Sequence, residues 1–245
     1  MPRFFVDKEA VSDTAVTITG PDARHIARAL RMAVGDGITV ADGTGLEYTA
    51  VLTRIRDEEC LCEITETKRS LSEPKSFITL YMAYPKGDKL ETVIQKAVEL
   101  GASRIVPFES SRCIKKPKAD KAEEKTARLT RIADEAAKQC GRGALPTVSL
   151  PLSYNEMLKE ASRAALPIFC YEGEGTRSLK DILDSFNEAP DSISVVVGSE
   201  GGFSPDEARA AEEIGFKMAN LGPRILRCET APDYALSAIS YRFEL

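Results

Sequence analysis

The sequence predicts an α/β protein in two parts: a small β-rich unit at the amino end, then a parallel sheet flanked by helices. Three observations predict it. The first seventy or so residues are short alternating runs parted by glycine and aspartate turns. Beyond residue 77, β-branched runs alternate with segments of helical period. Near the carboxyl end, two strand-like runs stop at glycine-containing loops that lead into helix starts. Open parallel sheets bind ligands at such strand ends.

In the first part, "RFFV", "AVTIT", "GITVADG", "EYTAVLTRI" and "CLCEITETK" read as strands, with turns at Gly35-Asp36-Gly37 and Asp42-Gly43. One helix, "DARHIARALRM", interrupts them. The polar stretch Ser70 to Ser76 is the expected linker, so the expected domains are 1–72 and 73–245. In the second part, "FITLYMAY", "RIVPF", "LPIFCYE", "ISVVVG" and "KMANLG" read as strands. Between and after them come helices. Leu90, Val93, Ile94, Ala97 and Val98 recur at helical spacing before Gly101, and residues 120–141 form a long helix closed by Gly141. "SLKDILDSF", "SPDEARAAEEIG" and "APDYALSAISYRF" complete the set. Strand and helix in alternation imply parallel pairing through crossovers.

Composition narrows the class. Of 245 residues 43% are hydrophobic, enough for a core, and no apolar run approaches the ~20 residues of a membrane span. No signal peptide is expected, which makes the expected location cytoplasmic. A net charge of −5 argues against a basic nucleic-acid coat but leaves room for a local basic patch. Six cysteines without a Cys-x2-Cys pair, and one histidine, offer no zinc pattern, so no metal is expected.

The chemistry centres on "GSEGGFSPDEA", residues 198–208. Gly198, Gly201 and Gly202 allow unusual dihedrals and close approach. Ser204 is a natural N-cap, with Pro205 at the first helical position. This is neither the dinucleotide fingerprint nor a Walker loop, and Glu200 lies in its middle. A carboxylate ~4 Å from a phosphate charge costs about 4 kcal/mol at an effective dielectric near 20. A phosphate-free, cationic nucleoside such as S-adenosylmethionine suits the loop better. Alone, the loop fits a ligand site or a structural turn.

A second loop has the same logic. The strand ends at Leu221, Gly222-Pro223 breaks it, and Thr230 is the expected N-cap of the last helix. Ile225 and Leu226 are apolar in a loop, which fits either anchoring of that helix or a wall for a flat base.

These two blocks, "GSEGGFSPDE" and "LGPRILRCETA", resemble the RsmE family of RNA methyltransferases within the SPOUT class. "HIARALRMAVGD", "PKGDKLETVIQKAVELGASRIVPFES" and "EAAKQCGR" match family blocks in order, so the resemblance covers nearly the whole chain. One departure is Ser199, where the family commonly has proline.

The resemblance implies a PUA-like β-barrel that grips RNA, then a trefoil-knotted SPOUT domain acting as a homodimer. It implies methylation of N3 of a uridine in 16S ribosomal RNA of the 30S subunit, with S-adenosylmethionine as donor. Transfer RNA as substrate, or a non-catalytic RNA-binding role, are the alternatives. By resemblance Gly198, Glu200, Gly201, Gly202, Leu221, Gly222, Ile225, Leu226 and Arg227 line the donor pocket. Arg112, Arg142 and Glu200 are the candidates for catalysis. Arg24, Arg28 and Arg31 fall at helical spacings of four and three, a stripe suited to phosphates, with Arg3 as a further member. A solvated helix face is the alternative reading of that stripe.

Overall fold

The computed structural model describes residues 1–114 and 119–245. By contacts the chain divides into two units, one made of Met1–Glu73 with Ala137–Leu145, the other of Pro74–Ala136 with Pro146–Leu245.

The first unit contains β1 (Arg3–Phe5), β2 (Ala15–Thr19), α1 (Gly20–Arg24), β3 (Gly37–Ala41), β4 (Leu46–Ile55) and β5 (Glu59–Arg69). Its sheet runs β1-β3-β4-β5-β2, antiparallel except for the β1–β3 pair. Alternation along β2 to β5 puts Val16, Ile18, Ile38, Val40, Ala50, Leu52, Cys60 and Cys62 on one inner face. Register shifts at Thr49/Ala50 and Leu52/Arg54 curl the two longest strands, so the sheet is an open half-barrel.

Residues 137–145, expected in the second unit, group with the first. The reason is Glu73. Its carboxylate accepts from the backbone N–H of Gly143 at 2.8 Å and of Ala144 at 3.0 Å, and pairs with Arg142 at 2.7 Å. A Cβ at Gly143 would stand 2.4 Å from that of Ser70, so only glycine fits there.

The second unit contains β6 (Phe77–Ala83), α2 (Lys89–Glu99), β7 (Arg104–Glu109), most of α3 (Ala122–Cys140), β8 (Thr147–Val148), β9 (Leu152–Ser153), α4 (Tyr154–Ala161), β10 (Leu166–Cys170), β11 (Arg177–Ser178), α5 (Leu179–Asp184), β12 (Ser192–Val197), α6 (Pro205–Glu213), β13 (Lys217–Asn220) and α7 (Thr230–Phe243). All its strand pairs are parallel, in the order β11-β13-β10-β12-β6-β7-β8, with β9 on β7. Strands β6, β10 and β12 are buried nearly throughout, as expected of a sheet covered on both faces. The buried positions of α2 are the five that its period predicts.

The order matters more than the elements. After β12 the chain passes over β10 to place β13 on that strand's far side. The carboxyl ends of β12, β10 and β13 therefore lie side by side, and both predicted loops leave from that edge. The last helix, α7, then packs against α2, α5 and β12.

Candidate functional site

The first loop owes its shape to its glycines. A Cβ at Gly198 would meet the backbone of Gly202 at 3.1 Å, so the loop closes on itself only without one. The Gly202 N–H donates to the Ser199 carbonyl at 2.9 Å, and Gly202 has the left-handed φ of 62°. Phe203 then anchors the loop in the core, its ring centroid 4.3 Å from that of Phe169 and stacked on Phe108 at 6.3 Å. Ser204 caps α6 as expected, in a reciprocal box with Glu207.

In the second loop Gly222 turns the chain at φ 101°. The N–H groups of Thr230 and Ala231 both donate to the Arg227 carbonyl at 2.9 Å. Glu229 occupies the N-cap position, one residue before the predicted Thr230. Ile225 is 83% exposed, so it does not anchor α7.

The two loops and the end of β10 enclose a cavity of about 550 Å3. Gly198, Glu200 and Gly202 line it from the first loop, and Leu221, Gly222, Ile225, Leu226 and Arg227 from the second. Gly201 is not among its lining residues. A Cβ there would lie 3.0 Å from that of Arg112, so Gly201 faces the other way. Tyr171 and Glu172 from the end of β10, Lys89 from the start of α2, and Cys228 and Glu229 also line the cavity. Sequence reasoning missed these five, and the "CYE" and "GDK" runs carried no local signal of their use.

The Glu200 carboxylate does not face an open cavity alone. Lys89 Nζ stands 3.1 Å from its Oε1, and the Lys86 N–H donates to both oxygens at 3.1 and 3.3 Å. Burial pushes its pKa up, but its own backbone N–H, Lys89 and Lys86 outweigh that and hold the carboxyl below the usual range. Glu229 is held lower still, at about 2: its own backbone N–H dominates against burial, helped by the Cys228 thiol and by Lys89. Lys89 Nζ is 3.1 Å from Glu229 as well, and the Cys228 thiol donates to Glu229 at 3.2 Å. That thiol is pushed up to about 12 by burial and then by Glu229, so it stays protonated. Charged carboxylates of low pKa are poor proton acceptors, which weakens Glu200 as a general base.

The other candidate residues divide. Arg112 does not line the cavity; its Nη1 donates to the Gly201 carbonyl at 2.9 Å, bracing the loop from outside. Arg142 is 3% exposed and its guanidinium pairs with Glu73. Arg3 does not join a surface stripe: it donates to the Arg142 carbonyl at 3.0 Å and to the buried Glu47 at 2.9 Å, a tie inside the first unit. Arg24 and Arg28 are exposed, and Arg28 pairs with Asp57. Arg31 is exposed too, but it lies past the helix, which widens into a π turn over His25–Ala29 and stops. With φ 51°, Arg31 leaves the helical spacing that the sequence suggests. Among the described residues no group of three or more His, Cys, Asp or Glu is placed to hold a metal ion, and no helix is long and apolar enough to cross a membrane.

Comparison with known proteins shows the family. Residues 72–240 match the family model of an RNA methyltransferase domain, and residues 18–65 that of an RNA methyltransferase PUA domain. The ribosomal RNA small subunit methyltransferase E of Bacillus subtilis is 35% identical over 251 residues, covering 100% of this chain and 98% of its own. That of Synechocystis is 34% identical over 243 residues, covering 99% of this chain and 78% of its own. The crystal structure of the Neisseria gonorrhoeae enzyme of that name, bound to S-adenosyl methionine, aligns with a TM-score of 0.83 at 31% identity over 99% of this chain and 98% of its own.

Proposed function

The chain belongs to the ribosomal RNA small subunit methyltransferase E family, and on that premise we propose that it moves the methyl group of S-adenosylmethionine to N3 of one uridine in 16S ribosomal RNA. The fold is that of the SPOUT class, with a PUA-like half-barrel at the amino end. One observation carries the reading of the ligand. The cavity's lysine, Lys89, is bracketed by two carboxylates, Glu200 and Glu229, which disfavours a pyrophosphate and suits a cationic nucleoside. Its volume of about 550 Å3 is that of a small-molecule site.

In this reading Gly198, Gly202, Leu221, Gly222, Ile225 and Leu226 hold the donor. The leucines and Ile225 wall the flat base, and Glu172 and Glu200 offer acceptors to ribose hydroxyls. When bound, the sulfonium supplies an electrophilic methyl group. The protein's tasks are alignment, exclusion of water and stabilisation of the uracil anion as its N3 proton leaves. Because Glu200 and Glu229 are weak bases, they serve binding rather than proton removal. Arg224 and Arg227, which line the cavity, are the cations this reading offers to the anion. Arg24 and Arg28 contact RNA phosphates.

The working unit is a homodimer. Tyr234 and Tyr241, exposed and about two turns apart on α7, give a second copy an amphipathic face. Transfer of labelled methyl from S-adenosylmethionine to unmethylated 30S subunits and to protein-free 16S RNA tests the function, with mass spectrometry to locate the product. Label at N3 of a single uridine is the expected result. Donor binding without label in either RNA overturns the substrate.

A further inference from the structure

We infer that Lys89 is a positioning residue that clamps the two cavity loops together and so sets the gap the donor enters. The inference rests on the reading of the cavity as the donor site. Strands β12 and β13, which carry the loops, are not neighbours: β10 lies between them. No ladder between those two strands can therefore set the spacing of the loops that leave them. Lys89 spans the gap instead. Its Nζ is 3.1 Å from Glu200 in the first loop and 3.1 Å from Glu229 in the second. The segment leading into α2 grips the first loop twice, since the Lys86 N–H also binds Glu200. On the second loop the Cys228 thiol donates to Glu229 and lies 4.0 Å from the same Nζ. Without the ammonium, two carboxylates, one from each loop and both within 3.1 Å of the same nitrogen, repel each other. The bridge is partly exposed, with a Lys89 side chain at 37%, so it is adjustable rather than a rigid buried pair.

The test compares the parent, Lys89→Met and Lys89→Met/Glu229→Gln. It uses calorimetry with S-adenosylmethionine, methyl transfer at saturating donor, and amide hydrogen exchange of the donor-free proteins. Lys89→Met is expected to weaken donor binding about fivefold, with a smaller fall in the saturated rate. Residues 198–203 and 222–229 are expected to exchange faster. Removing the second carboxylate in the double variant should return the exchange of both loops part of the way to that of the parent by relieving the repulsion. Unchanged exchange in both loops overturns the clamp. So does a collapse of the saturated rate that Glu229→Gln does not relieve, since that marks Lys89 as a substrate contact. If the parent fails to bind donor while Lys89→Met still loosens both loops, the clamp stands and the donor reading falls.

Discussion

The carboxylate of Glu207 accepts both the backbone N–H of Ser111, at 2.7 Å, and its hydroxyl, at 2.8 Å. The same carboxylate accepts from the Ser204 N–H at 2.8 Å. One buried side chain thus joins the start of α6 to the segment that carries Arg112, which in turn braces Gly201. Replacing Glu207 by Ala strands these donors and is expected to cost about 3 kcal/mol. Thermal unfolding checks the cost. Donor calorimetry checks the coupling, because the loop should bind more weakly once its brace is loose.

Ser199 should be easier to improve than to damage. Its residue is 5% exposed, and among the described residues its hydroxyl finds no hydrogen-bond partner. Ser199→Ala removes a desolvated hydroxyl and is expected to stabilise the protein by about 1 kcal/mol, read as a rise in Tm of roughly 2–4 °C. A fall in Tm would show that the hydroxyl is satisfied in solution.

Acid should loosen the first unit through Glu73. Burial raises its pKa, but Arg142 and the N–H groups of Ala144 and Gly143 outweigh it, so the folded pKa lies below the usual 4.5. A carboxyl depressed on folding contributes stability above its unfolded pKa, and that contribution is lost as pH falls through the folded one. Glu73→Gln is therefore expected to be about 1–2 kcal/mol less stable than the parent at pH 7. The difference should shrink toward pH 3. Urea midpoints across that range measure it, and a constant difference would rule out the linkage.

Arg28 and Arg3 should part company. Arg28→Ala is expected to weaken binding to 16S RNA and to reduce the slope of log affinity against log salt by roughly 0.7–0.9. Arg3→Ala breaks the tie to Glu47 and Arg142 and should instead cost about 2 kcal/mol of stability, with the slope unchanged. Salt titrations of RNA binding beside melting curves distinguish them.

Much of the fold was legible because its signals are local. Periodicity placed α2 and its five buried residues, and Ser204 with Pro205 placed the start of α6. Helix α4 carried a readable signal that sequence reasoning passed over, the Ser153–Glu156 capping box. The two-residue strands β8, β9 and β11 had none, since so short a run shows no period. The π turn that displaces Arg31 was likewise invisible, because one widened turn at the end of so short a helix has no residue signature of its own.

From the sequence alone came the alternation of elements, the two glycine loops and the kind of ligand they suit. Those depend on backbone freedom and side-chain period within a few residues. Tertiary structure decided which charges meet. Lys89 reaches Glu229 across 140 positions, and Arg142 pairs with Glu73. A charge is neutralised by whatever the strand order brings within a few ångströms, and that distance is not written in any local stretch of the chain.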